Sequence, residues 1–188
     1  MEWQIFISSF FLISMFPLIV FKQVDDLDFS ITRYINDNVV GDFNNKIFGY
    51  MDYLLAGVWS LVYIYVFASK PLEGFLGVFL VIFTWLFSIF LKTIFKRPRP
   101  HIKTIRPITD GSFSFPSIHS AVASSVGSWI LIGVSGTSML STFLIASICS
   151  IALIAASRVY LGAHYLTDVL SGIALGLLMA SLTYLIIK

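Results

Sequence analysis

Two residues four apart, His164 and Asp168, carry the clearest chemical possibility in this sequence. On a helix that spacing puts both side chains on one face, one turn apart. A carboxylate bonded to one imidazole nitrogen fixes the tautomer and makes the other nitrogen a better nucleophile. The same spacing also suits a plain structural His–Asp pair capping a helix. Lys92 and Arg99 are seven apart, two helical turns, and Pro98 and Pro100 end a helix there. Their charges then point into one space beyond the helix, and Arg158 can join them. Three cations without matching acids suggest an anion with several oxygens, and arginine suits phosphate especially well. Lys96, Lys103 and Arg106 are read instead as side chains reaching for headgroups.

A third feature is the stretch Phe115-Pro116-Ser117-Ile118-His119-Ser120, at the mouth of a long apolar segment. Pro116-Ser117 reads as a helix start. The first N–H groups of a helix have no internal partner. Those of Ser117, Ile118 and His119 are therefore expected to form an anion cradle, helped by the helix dipole. His119, in that first turn, is placed to give a proton to a leaving oxygen.

Composition says what kind of scaffold must hold these groups. The chain has 188 residues, 57% of them hydrophobic and 12% charged. A soluble domain averages about 25% charged residues, so the solvent of this chain is largely lipid. The length fits one membrane-embedded domain, residues 1–188. A net charge of +2, with no basic run interleaved with aromatics, gives no ground for a nucleic-acid partner. Cys149 stands alone and is expected to be a small buried apolar side chain.

A spanning helix needs roughly 20 mostly apolar residues. Six stretches qualify, at about Trp3 to Phe21, Met51 to Ser69, Phe75 to Phe95, Ser117 to Val134, Met139 to Ala156 and Tyr165 to Ile187. The first is read as a retained span, because it follows Glu2 and no small-x-small cleavage site succeeds it. The expected fold class is all-α, a six-transmembrane-helix bundle. Between the first two spans, Leu27, Ile31, Tyr34 and Ile35 recur at helical spacing. They mark either a short interfacial helix or a plain connector. Gly172, Gly176 and Ala180 form a small-residue stripe, read as packing within the chain in preference to a dimer face. Oligomeric state is left open.

Six spans alternate sides, so the connections after spans one, three and five share one face. The cations from Lys92 to Arg106, together with His101 and His119, lie at or near the third connection, and Arg158 and His164 lie at the fifth. Asp168 follows just inside the sixth span. The polar groups therefore converge on one face, where ionisable side chains are costly and usually mark function.

Three motifs result: Lys92-x6-Arg99-Pro100, Pro116-Ser117-Ile118-His119, and Ser157-Arg158-x5-His164-x3-Asp168. In this order, on a six-span chain, they resemble the signature of the type 2 phosphatidic acid phosphatase superfamily, lipid phosphatases related to vanadium haloperoxidases. The resemblance implies a metal-independent phosphatase without a cofactor. In it Lys92, Arg99, Arg158, Ser117 and the backbone near Ile118 would hold phosphate. His164 would attack phosphorus and form a phosphohistidine, Asp168 would orient His164, and His119 would protonate the leaving group. Water would then hydrolyse the phosphoenzyme.

One position departs from the family, which usually has glycine where this chain has Ile118. Glycine permits positive φ, and a β-branched residue does not. An ordinary helical conformation is expected at Ile118, with its N–H toward the anion and its side chain narrowing the pocket. The implied partners are the bilayer and a membrane lipid phosphate. The small chain leans toward a polyprenyl (undecaprenyl or dolichyl) diphosphate, with phosphatidylglycerol phosphate or phosphatidic acid as alternatives. A non-catalytic lipid-phosphate-binding or transport protein would be expected to lose His164, His119 or Asp168. Membrane character and small size speak against an oxidative vanadate enzyme. A multi-pass plasma-membrane protein is expected. Counting Lys and Arg puts the site face in the cytoplasm. The resemblance puts it outside, and is followed because site cations have a catalytic reason to be there.

Overall fold

A computed structural model describes residues 22–39, 42–100 and 113–187. The expected first span, and His101, Lys103 and Arg106, lie outside the described residues. Those described form six helices and no strand: α1 (Lys22–Val39), α2 (Asp42–Phe67), α3 (Pro71–Phe95), α4 (Ile118–Gly133), α5 (Leu140–Tyr160) and α6 (Leu166–Ile187). Four helical stretches among them are long and apolar enough to cross a membrane: Phe48–Phe67, Pro71–Phe95, Leu140–Tyr160 and Leu166–Ile186. Lipid offers no partner to a bare N–H or C=O, so helices that satisfy their own backbone are the natural outcome of such segments.

The helix α4 is shorter, at 16 residues, or about 24 Å. It is also the most enclosed, packing most extensively against α6 and next against α5 and α3. Small residues make that contact close. A Cβ added at Gly172 would collide with the Ser117 carbonyl, and one at Gly176 with the Ala121 carbonyl. Ser124 Oγ donates to the Ile173 carbonyl across the same interface at 2.9 Å. The small-residue stripe is thus occupied within the chain. Around it, Leu80, Ala121, Trp129, Ile130 and Leu175 form the core, with Phe67 and Met179 at its edge. Outward, α2 and α3 present Leu54, Leu61, Phe75, Phe79 and Phe90, as faces meeting acyl chains should.

Several expectations need correction, though the segment before α2 is a helix, as one of the two readings has it: α1 has 18 residues, and α2 begins at Asp42. The buried face of α1 carries Asp28 and Thr32, while Leu27 and Tyr34 turn outward. A polar network in which Asp28 meets Arg97 and Thr167 holds the inner face. Cys149 is exposed on α5; on a helix bordered by lipid, an apolar thiol gains nothing by turning inward.

The helix α3 stops at Phe95, before the prolines. Lys96 is left-handed, at φ 48° and ψ 32°, and its N–H closes the last turn on the Lys92 carbonyl. Pro98 disfavours the helical region for the preceding Arg97, so the helix cannot run on. Arg99 consequently follows α3 in an irregular segment, and is not two helical turns above Lys92.

Candidate active site

A cleft of about 1070 Å³ opens among α2, α3, α4 and α5. Lys92, Arg99, Ile118, His119, Arg158 and His164 all line it, together with Asp52. The lining then continues into the apolar side chains Trp59, Tyr63, Ile64, Ile82, Trp85 and Ile151.

Each cation is tethered by a neighbouring segment. Lys92, in the last turn of α3, donates from Nζ to the Phe113 carbonyl at 2.5 Å and the Ser114 carbonyl at 3.0 Å. Arg99 donates from Nη1 to the Ala163 carbonyl at 2.9 Å, joining the segment after α3 to the turn before α6. Arg158, in the last turn of α5, is ion-paired through Nη2 with Asp52 Oδ2. Its Nε donates to Ser157 Oγ at 3.2 Å; Ser157 Oγ donates to the Ile154 carbonyl at 2.7 Å and lies 3.3 Å from Asp52 Oδ1.

Asp52 was not among the residues singled out from sequence. It lies also 3.8 Å from His119 Nε2, beyond hydrogen-bond reach. The signal that could have found it is a lone carboxylate at the start of a span, on the face where the cations converge.

His164 and Asp168 are brought together, but not on one helical turn. The helix α6 begins at Leu166, so His164 precedes it. Gly162, at φ +63°, supplies the left-handed residue that turns the chain after α5. The His164 N–H then returns to the Arg158 carbonyl at 3.2 Å, which fixes one site residue on the backbone of another. Asp168 is in the first turn of α6, and its Oδ2 accepts the Tyr165 N–H at 3.0 Å, like the acid of a capping box. Its Oδ1 accepts Arg97 Nη1 at 2.7 Å. His164 Nδ1 stands 3.6 Å from Asp168 Oδ2.

Burial pushes the His164 imidazole down to about 4; the charges of Lys92 and Arg99 add to this and Asp168 opposes it. The ring is therefore neutral at pH 7, the state a nitrogen nucleophile needs.

The start of α4 departs from the expected cradle at one position. Ser117 caps the helix in an extended conformation, but its N–H donates to the Asp168 carbonyl at 3.0 Å. Its side chain is fully buried, with Oγ accepting from Ser120 Oγ at 3.0 Å. Ser117 does not line the cleft, because the close approach of α4 and α6 takes it into their interface. Ile118 is the first helical residue and has no positive φ. Ile118 and His119, both on the cleft, supply first-turn N–H groups.

Apolar helices with outward apolar faces define a multi-pass membrane protein, in which a cationic cluster with two histidines stands above an apolar cleft. More narrowly, the chain belongs to the PAP2 superfamily, which matches residues 73–188. It is 36% identical over 119 residues to phosphatidylglycerophosphatase B of Bacillus subtilis, covering 60% of this chain and 57% of that protein. It is 28% identical over 152 residues to lipid A 4'-phosphatase of Porphyromonas gingivalis, covering 70% and 63% respectively. The chain thus spans 57% and 63% of the lengths of these curated relatives.

Among solved structures, the PAP2-type phosphatidylglycerolphosphate phosphatase of Bacillus subtilis superposes with a TM-score of 0.85 at 24% identity, over 98% of this chain and 96% of that one. LpxE of Aquifex aeolicus superposes at 0.65 with 25% identity, over 82% and 93%.

Proposed function

We propose that the chain is a lipid phosphatase that works through a phosphohistidine on His164, without a metal. The carrying observation is that neutral, buried His164 opens on the same cleft as Lys92, Arg99 and Arg158, and that this cleft continues into apolar space. Along α2 the lining runs from Asp52 to Ile64, about 18 Å at 1.5 Å per residue. A phosphate among the cations leaves a lipid tail lying between the helices.

In this mechanism Lys92, Arg99, Arg158 and the first N–H groups of α4 spread the phosphate charge. The Nε2 lone pair of His164 attacks phosphorus while Asp168 holds the proton on Nδ1. The bond from phosphorus to the lipid oxygen breaks, and that oxygen takes a proton from His119. Neutral His119 then accepts a proton from water as the water attacks the phosphohistidine. The P–N bond breaks, and phosphate and free His164 result. Ser117 supports the cradle indirectly, by tying the start of α4 to the Asp168 backbone.

The names of the relatives favour a phosphomonoester lipid such as phosphatidylglycerol phosphate. A polyprenyl diphosphate is the second substrate to test, since the same cations suit a diphosphate. We place the protein in the plasma membrane with the site on the outer face. Positive charge on that face argues otherwise, but Arg97 is bonded inside the protein to Asp28 and Asp168. Its charge, like those of the site cations, has a reason other than topology.

The test is phosphate release by detergent-purified protein in EDTA, offered phosphatidylglycerol phosphate, a polyprenyl diphosphate, a polyprenyl monophosphate and phosphatidic acid. His164→Ala runs beside it. Release that survives EDTA, disappears in the variant and leaves an acid-labile phosphoenzyme on rapid quenching is expected. No release from any lipid by folded protein would move the reading to a lipid-phosphate-binding protein.

A further inference from the structure

We propose that Arg97 and Asp28 are positioning residues of the reaction: they hold Asp168 so that Asp168 can hold His164, and they make α1 part of the active site. This rests on the phosphatase reading above.

Arg97 sits between two carboxylates. Its Nη1 donates to Asp168 Oδ1 at 2.7 Å and to Thr167 Oγ1 at 2.7 Å. Its Nη2 donates to Asp28 Oδ2 at 2.9 Å. Thr167 closes the ring: its Oγ1 donates to Asp28 Oδ2, and its N–H reaches Asp28 Oδ1 at 3.3 Å. The guanidinium also lies 4.2 Å from the centroid of the Tyr165 ring. The three charged side chains are 4%, 2% and 0% exposed for Arg97, Asp28 and Asp168.

Buried ion pairs are on average no more stabilising than well-packed apolar residues, because desolvation offsets the attraction. Stability alone is therefore a poor account of this cluster, and its geometry offers a better one. Arg97 fixes Asp168 Oδ1 and the Tyr165 N–H fixes Oδ2, so the carboxylate plane is set from both ends. The oxygen nearest His164 Nδ1 is Oδ2. Arg97 itself does not line the cleft, which separates its role from phosphate binding. The left-handed turn at Lys96 diverts it, and Ser114 N–H bonded to the Arg97 carbonyl at 2.8 Å holds it there. Asp28, on α1, falls outside the part of the chain that matches the family, residues 73–188.

The experiment uses the full chain with Arg97→Lys, Asp28→Asn and their double variant. Lysine cannot span two carboxylates with a planar fork, and asparagine removes charge at nearly constant volume. The readouts are kcat and KM on the best lipid, inhibition by orthovanadate, and the imidazole 15N shifts of His164. The sequence has three histidines, so the His164 signals can be assigned by substitution.

Each single variant is expected to lower kcat by at least tenfold and up to ~10²-fold, the scale of a misplaced catalytic group. KM and the vanadate constant should stay within about twofold, because Lys92, Arg99 and Arg158 are untouched. His164 should change from one Nδ1–H tautomer to a mixture. The double variant should be no worse than the worse single one. A kcat within about twofold of wild type, losses appearing equally in KM and vanadate binding, or an unchanged tautomer overturns the proposal. If Arg97→Lys does not fold, Asp28→Asn carries every readout. Wild type inert to all lipids, with a tautomer change in the variants, rejects the phosphatase reading and leaves the positioning role standing.

Discussion

Asp168 Oδ2 accepts the Tyr165 N–H at 3.0 Å and lies 3.6 Å from His164 Nδ1. One oxygen thus faces both the start of α6 and the imidazole, and the helix start holds it in place. The carboxylate cannot follow the ring. Under the proposed mechanism an Nδ1–H would become more acidic during attack on phosphorus, which would draw the ring the last few tenths of an ångström toward it.

The pH dependence follows from the buried ring. Burial takes the His164 imidazole to about 4, against about 6.5 in an unfolded chain. The acid limb of kcat/KM should therefore fall well below pH 6.5, and loss of protonated His119 should close the profile on the basic side. The stability effect has the same sign. Between about 6.5 and 4 the unfolded chain binds a proton that the folded one refuses, so stability is full above 6.5 and falls as pH drops toward 4. Rate profiles and thermal midpoints from pH 3.5 to 9 check both. An acid limb at 6.5 or above, with chemistry rate-limiting, would contradict this assignment.

Asp52 holds Arg158 by an ion pair, with Ser157 Oγ 3.3 Å away. Asp52→Asn should lower kcat/KM by roughly tenfold or more, the scale of one charge-assisted hydrogen bond. The loss should fall mainly on KM, because a freed Arg158 is no longer aimed at the phosphate. If instead the variant binds substrate or vanadate more tightly, Asp52 competes with phosphate for Arg158 and the positioning role is wrong.

Ile118 begins α4 with ordinary helical backbone. Ile118→Gly should therefore bring no large gain in activity, and should cost up to about 1 kcal/mol of stability through poorer helix propensity. Assay and thermal melt of the variant decide the matter. A gain of tenfold would mean that the site needs a backbone shape isoleucine denies it.

Orientation is open to direct labelling. Cys149 faces outward, so Cys149→Ala should be tolerated and gives a clean background. A single cysteine placed between residues 103 and 112 should react in intact cells with a membrane-impermeant maleimide. Reaction only after the cells are opened would put the site on the cytoplasmic face.

Much of the site was readable along the chain because its parts are local. His164 with Asp168, and Pro116 through His119, are spaced within a few residues, and span parity brings those groups to one end of the bundle. The same parity also covered Asp52, at the start of the expected second span, but an isolated aspartate has no spacing to make it conspicuous. Arg97 was visible only as one more cation near a span end. Its bonds to Asp28 and Asp168 cross 69 and 71 residues of sequence. Ser117 was placed in the cradle because a helix start frees its N–H; the arrival of α6 against α4 gave that N–H the Asp168 carbonyl.

By itself the sequence determined that apolar segments form helices, because in lipid each segment must satisfy its own backbone hydrogen bonds. It determined too which short motifs carry cations, histidines and a carboxylate, because their spacings are local. Only the tertiary structure decided how those groups are aimed. Close contact at Gly172 and Gly176 sets how far α6 approaches α4, and the buried charges of Asp28 and Arg97, with the half-buried ones of Asp52 and Arg158, find their partners across helices. Such pairings depend on the depth and rotation of packed helices, which no local spacing encodes.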